Sequence, residues 1–186
     1  MRFRTLSGHL VAITAFIFAA SLASYGQGNF EVAGHGGVVG GIGSHGIVGG
    51  SIGAPVADKL VLQGELSLIP MGSSSVTVNG TTNSSSAKAI DFNGTMQYEF
   101  TPTRGVVPYA GAGLGFLRSN FETSIISSGV TTFKVSGSAT DAYFNFGGGL
   151  RYYVNNRWGF KPEFQFFAGS NTFVRFTGGI FYQFGE

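Results

Sequence analysis

Residues Ala87 to Phe100 are the clearest case of strict alternation in the chain. Ile90, Phe92, Gly94, Met96, Tyr98 and Phe100 fall on one parity; Asp91, Asn93, Thr95, Gln97 and Glu99 fall on the other. Successive side chains of a strand point to opposite faces, so one face is wholly apolar and the other wholly polar. Four further segments repeat the split. They are Leu60–Pro70, Ala142–Val154, Trp158–Ala168 and Thr172–Phe184, with Val61 and Ile69 as exceptions in the first. Apart from Lys88, at the start of Ala87–Phe100, no charged residue lies on the apolar parity of these five segments. Pro108–Leu117 fits less sharply, and weaker strands are expected about Phe30–Val38 and Gly46–Val56.

Eight strands of this length match the 9–11 residues that cross a bilayer at a tilt. Charged residues make up 11% of the 186-residue chain, against about 25% in a soluble domain. That deficit fits a large surface hidden in lipid. After the first 26 residues, nine Lys and Arg balance nine Asp and Glu, because Arg2 and Arg4 carry the formal +2. A clustered basic face is missing, so nucleic acid is not an expected partner. Without cysteine, disulfides and thiolate metal sites are excluded.

The N-terminus has the pattern of a secretory leader. Arg2 and Arg4 precede the apolar run Leu10–Ala20, and Ser21-Leu22-Ala23 or Ser24-Tyr25-Gly26 supplies small residues for cleavage. The expected division is a cleavable signal peptide over 1–26, cut after Ala23 or Gly26, and one barrel domain over 27–186. No later apolar run reaches helical span length, so a membrane-embedded form must be a closed barrel.

Short connections (Ala57-Asp58-Lys59, Thr101–Val107, Asn155-Asn156-Arg157) alternate with longer ones rich in Ser, Thr, Gly and Asn, at Met71–Ala87 and Ser119–Thr140. Short inner turns and longer external loops characterise transmembrane barrels. Eight strands leave an interior just wide enough for side chains. The Phe, Tyr, Trp and Leu of the apolar faces are too bulky to converge there, whereas Gly, Ser, Asn and Gln fit. The reading is therefore an all-β, closed eight-stranded antiparallel up-and-down barrel with its apolar face to lipid. The reverse orientation would be a soluble lipocalin-like barrel.

The chain ends Thr177-Gly178-Gly179-Ile180-Phe181-Tyr182-Gln183-Phe184. This strand, the leader and the eight alternating segments together resemble the small bacterial outer-membrane β-barrel superfamily, of the OmpA transmembrane-domain and OmpX type. The resemblance implies an outer-membrane location. It implies lipid and lipopolysaccharide as surroundings and the barrel-assembly machinery as a partner in biogenesis, with Gly179, Tyr182 and Phe184 as its recognition signal. Gly185-Glu186 departs from the pattern, in which the aromatic is usually last.

Six charges fall on inward positions: Glu65, Glu99, Arg151, Lys161, Glu163 and Arg175. An isolated buried ion costs several kcal/mol, so a paired lumen network is expected, with an Arg151–Glu163 contact diagonal across the Asn155-Asn156 turn. Tyr98, Phe100, Tyr109, Tyr152, Tyr153, Trp158, Tyr182 and Phe184 are expected at the inner membrane interface. Pro162 removes a ladder donor, so a break is expected there. The glycines of Gly111–Gly115 and Gly147–Gly149 make room for large lumen neighbours.

Catalytic signals are weak. Beyond the leader the histidines are His35 and His45, with no acid-His-Ser order and no metal-ligand spacing. The His-x-Ser element that lipid A deacylases share near the C-terminus has no counterpart. Gly41-Ile42-Gly43-Ser44-His45-Gly46 spells the dinucleotide fingerprint but lacks its following helix. No cofactor and no enzyme activity are expected. The leading role is envelope structure or surface interaction through the external loops 71–87 and 119–140, with an unknown extracellular partner. A small channel and a lipid A-modifying enzyme are the alternatives.

Overall fold

The computed structural model describes residues 30–41, 43–127 and 130–185. The leader lies outside them. Eight strands follow in chain order: β1 (Phe30–Gly40), β2 (His45–Ala57), β3 (Leu60–Val78), β4 (Thr81–Glu99), β5 (Val106–Ser127), β6 (Val130–Tyr153), β7 (Trp158–Gly169) and β8 (Phe173–Phe184). Each pairs antiparallel with the next, and β1 pairs with β8 from Phe30↔Phe184 to Gly40↔Val174, closing the barrel. Apart from irregularities at Pro55–Ala57 and at Pro162, the ladders run unbroken round the closed part, which is the condition for placing strands in hydrocarbon.

The faces follow the alternation. Phe92 is 43% exposed, Phe144 46%, Phe164 50% and Phe176 57%, all on the outer wall. Gln63, Glu65, Asn93, Thr95, Gln97, Asn145, Gln165 and Thr177 are buried inside. A charge on the outer wall should be costly. Phe164→Arg is expected to lower unfolding stability in lipid by about 2–4 kcal/mol; urea titration of vesicle-embedded protein checks it, and a near-zero effect would place Phe164 away from the bilayer midplane.

Two expectations about the ends are corrected. Met71–Ala87 and Ser119–Thr140 are not loops. β3 and β4 continue to a two-residue turn, Asn79-Gly80, and β5 and β6 continue to Ser127 and Val130. Asn79 (φ 50°) and Gly80 (φ 77°) both adopt left-handed backbone, as a type I′ hairpin requires. β4 and β5 stay paired up to Thr81↔Ser127, so β3–β6 form one four-stranded sheet beyond the barrel. The other two connections at this end, Gly40–His45 and Gly169–Phe173, are short turns. The wall is therefore tall on one side and low on the other.

The second correction concerns aromatics. Tyr98, Phe100, Tyr152, Tyr182 and Phe184 are exposed near the end that carries Phe30 and Phe184, and Trp158 is half-buried there. Tyr109 is buried, and Tyr153 packs edge-on against the buried Phe181, with centroids 5.0 Å apart. These two point inward because they share parity with the lumen residues of β5 and β6. At Pro162 the β6–β7 ladder is interrupted: Gly149↔Glu163 and Tyr152↔Phe160 pair, and nothing pairs between them.

Candidate functional site: the sealed, charge-paired lumen

Three layers fill the interior. Nearest the termini, Arg151 donates through Nε to Glu31 Oε2 (2.7 Å) and through Nη2 to Gln97 Oε1 (2.7 Å); its Nη1 lies 2.9 Å from Glu99. Lys161 reaches Glu31 Oε1 at 3.0 Å and also Gln63. The Arg151 guanidinium and the Lys161 ammonium both lie against the Tyr109 ring, 4.6 and 5.3 Å from its centroid. Two cations and two carboxylates thus balance in this layer.

The middle layer is built on Arg175. Its guanidinium binds both oxygens of Glu65, with Nη2–Oε2 at 2.9 Å, and reaches Asp91 (3.2 Å), Gln165 (2.6 Å) and Glu163 (3.5 Å). Tyr109 donates to Glu163 (2.6 Å) and Tyr143 donates to Asp91. Each tyrosine lies opposite a glycine, Tyr109↔Gly149 and Gly115↔Tyr143. A Cβ on either glycine would run into the tyrosine ring. Gly115 and Gly149 thus make room for large lumen neighbours, whereas at Gly111, Gly113, Gly147 and Gly148 a Cβ would first meet the backbone of the adjoining strand.

Above this layer the lumen turns apolar. Val39, Ile47, Ile69, Ala89, Leu117, Tyr143, Phe167 and Phe173 form one buried cluster, with Met71 packed on it. Phe167 and Phe173 stack at 4.3 Å and 5°, and Tyr143 meets both edge-on. Ile69, out of place in the alternating pattern, belongs here. The plug closes the lumen beneath the tall sheet. Between the two charged layers a void lined by His35, Ser51, Gln63, Glu65, Lys161 and Glu163 has a volume of about 10 Å³, room for about one water.

All six sequence-selected charges face the lumen, but their pairing differs from expectation. Arg151 does not contact Glu163; it binds Glu31 across the barrel, and Glu163 goes to Arg175 and Tyr109. Diagonal neighbours in the wall point along it, whereas long side chains in a narrow cylinder meet across the axis. Glu31, Asp91, Tyr109 and Tyr143 were missing from the expected network. Parity alone would have placed Asp91 in it, since Asp91 shares a face with Asn93 and Gln97.

His35 Nε2 lies 3.0 Å from Ser67 Oγ, which donates to Glu65 Oε1 at 2.9 Å. A hydrolase triad needs the acid on the far ring nitrogen. Here Glu65 approaches the same Nε2, at 3.5 Å, and Ser67 is fully buried, so this cluster is packing. Gly41 (φ 108°) and Gly43 (φ 100°) form a hairpin turn between strands, so the dinucleotide match has no helix to act with. Among the described residues no group of His, Cys, Asp and Glu is arranged to hold a metal ion. At the C-terminal strand, Tyr182 and Phe184 face outward with centroids 4.7 Å apart, while Gly179 lines the void.

Solved structures share this architecture. The N-terminal β-barrel domain of Pseudomonas aeruginosa OprF is 21% identical, covers 85% of this chain and 100% of its own, and superposes with a TM-score of 0.55. Ail, the attachment invasion locus protein of Yersinia pestis, is 14% identical over 84% of this chain and 99% of its own, with a TM-score of 0.56. Neisserial surface protein A is 14% identical over 84% and 97%, with a TM-score of 0.59. No curated protein sequence matches significantly. The model of the outer membrane protein beta-barrel domain matches residues 9–165. The chain belongs to that family, and its place is the bacterial outer membrane.

Proposed function

We propose that this protein is a non-conducting, non-enzymatic surface scaffold: a rigid barrel that holds a four-stranded sheet above the outer membrane. The sheet itself carries the reading. Strands β3–β6 run well past the low rim as one paired unit, and nothing in the barrel's closure requires it. Binding residues concentrate where a rigid wall displays segments beyond the membrane. The apolar plug and the two ion-paired layers argue against the channel alternative, since each blocks the axis.

Partners in the membrane follow from the outer wall. Lys88 and Arg118 both point outward at the base of the sheet, diagonal to each other on β4 and β5, Arg118 two residues beyond the lipid-facing Phe116 and Lys88 four beyond Phe92. That level suits the phosphates of lipopolysaccharide. The leader over 1–26 and the terminal strand with Gly179, Tyr182 and Phe184 would direct export and assembly.

The test is a trimmed barrel in which 72–87 and 121–137 are each replaced by a short Asn-Gly hairpin, compared with the full chain in cells. Heat-modifiable migration and envelope permeability should be unchanged, while attachment of cells to surfaces and to one another should fall. Discrete conductance steps from the full chain in planar bilayers, lost on trimming, would overturn the scaffold reading.

A further inference from the structure

The tall sheet reverses the polarity of the wall it grows from. Within the barrel, inward positions are polar and outward ones apolar. Above it, the face continuous with the lumen carries Val76 and Val78 on β3, Phe121 and Ile125 on β5, and Phe133 and Val135 on β6. The register fixes this assignment. Buried Ala89 points inward, so Ala87 does also, and Ala87 pairs with Gly72 and Phe121, which pairs with Gly137. A Cβ at Gly137 would strike the Phe121 ring, which confirms the shared face. Two residues further out, Ser74, Ser85, Thr123 and Val135 form a row; then Val76, Asn83, Ile125 and Phe133. From the row of Gly72, Ala87, Phe121 and Gly137 outward no charge lies on this face; the nearest inward charge is Asp141, two rows below on β6. The opposite face holds the Lys134–Glu122 ion pair (2.8 Å), the Thr77–Thr82 hydrogen bond (2.8 Å) and a ladder of serines.

Apolar within and polar without is the pattern of a water-soluble β-barrel. Yet the sheet is half a cylinder. Its inner side chains are uncovered: Val78 is 61% exposed, Phe133 54% and Phe121 52%. Both its edges are open. β2 last pairs with β3 at Val48↔Leu68, and β7 last pairs with β6 at Tyr143↔Gly169, so β3 beyond Leu68 and β6 before Tyr143 have a partner on one side only. Four of eight strands are present, and an uncovered edge is a template for pairing.

We propose that the missing half is the sheet of a second copy, inverted and facing the first from an opposing membrane. A two-fold axis parallel to the membranes sets each tall sheet over the other's low rim, formed by the Gly40–His45 and Gly169–Phe173 turns. The same operation brings β3 beside β3 and β6 beside β6 of the other copy, both antiparallel, so the two half-cylinders close into one barrel with an apolar interior. Such an interface is isologous and self-limiting. Copies in one membrane cannot form it, because each inner face looks over its own barrel mouth. With strands about 4.8 Å apart and a rise of about 3.3 Å per residue, the face measures roughly 500 Å². Two copies then bury about 1,000 Å², the lower bound for a specific interface, and the edge ladders add backbone hydrogen bonds. This proposal rests on the surface-scaffold reading and names the partner as the protein itself.

The experiment uses the full chain in phosphatidylcholine vesicles, with clustering followed by light scattering. Wild-type vesicles should cluster with one another and not with protein-free vesicles. The inner-face variant Phe133→Glu/Val135→Glu should lose clustering by about tenfold or more, since carboxylates would be buried unpaired. The outer-face variant Ser75→Glu/Ser84→Glu should cluster as wild type does. All three should show heat-modifiable migration, and Val78→Glu provides a second inner-face change. Wild-type vesicles that stay dispersed would overturn the pairing, as would clustering that survives both inner-face changes or that needs an added protein. Dispersed vesicles together with sheet-dependent cell attachment would sink the self-pairing alone and leave the scaffold standing.

Discussion

Arg175→Met should destabilise the barrel by about 3–5 kcal/mol, because it strands carboxylates rather than merely deleting a pair. Arg175 is fully buried and, among the described residues, is the one cation that bridges Glu65, Asp91 and Glu163. Methionine keeps an unbranched apolar stem on the wall and removes the guanidinium, so the three acids then face one another across a narrow lumen. Arg175→Lys should recover only part of the loss, since an ammonium cannot hold Glu65 through two parallel bonds while reaching Gln165. Adding Glu65→Gln to Arg175→Met should recover more, by removing the charge left without a partner. Urea unfolding of vesicle-embedded protein, read by heat-modifiable migration, gives the three values. A loss below about 1 kcal/mol for Arg175→Met would mean that water screens this layer as it does a surface pair.

What the sequence made legible tracks where lipid enforces a rule. In the bilayer an unpaired backbone group or an outward charge is costly, so Ile90–Phe100, Trp158–Phe166 and Val174–Ile180 keep charges off the outer face and their faces can be read directly. Above the membrane that penalty is gone. Ser73-Ser74-Ser75 and Ser84-Ser85-Ser86 put the same small polar residue on both faces, and the contrast that marks a strand disappears. The signal that remained was Asn79-Gly80 between Val-Thr-Val and Thr-Thr, the pair that a two-residue hairpin favours. Partners in the lumen were harder still. Parity says that Arg151 and Glu163 face inward, but Arg151 finds Glu31, 120 residues away on the far wall. The plug was hidden because its members come singly. Phe167 and Phe173 each stand at an inward position near a strand's outer end and Leu117 stands midway along β5, and one apolar residue does not interrupt the pattern of its neighbours.

Phe167→Ala should cost about 3–5 kcal/mol, the range for truncating a buried aromatic side chain. The ring is fully buried, stacks on Phe173, meets Tyr143 edge-on at 5.0 Å and lies 5.1 Å from the Arg175 guanidinium. Truncation therefore opens a cavity between the plug and the charged layer, and the barrel wall around it is too rigid to refill the space. Phe164→Ala, three residues away on the same strand, should cost far less, because its ring faces outward and mobile acyl chains occupy the vacated volume. The contrast separates a packed interior from a lipid surface on one strand with one kind of substitution. Conductance should remain at baseline in Phe167→Ala, since the Arg175 and Arg151 layers still cross the lumen below the plug. Single-channel steps in planar bilayers from this one change would show that the plug alone seals the barrel, and that the charged layers conduct once it is removed.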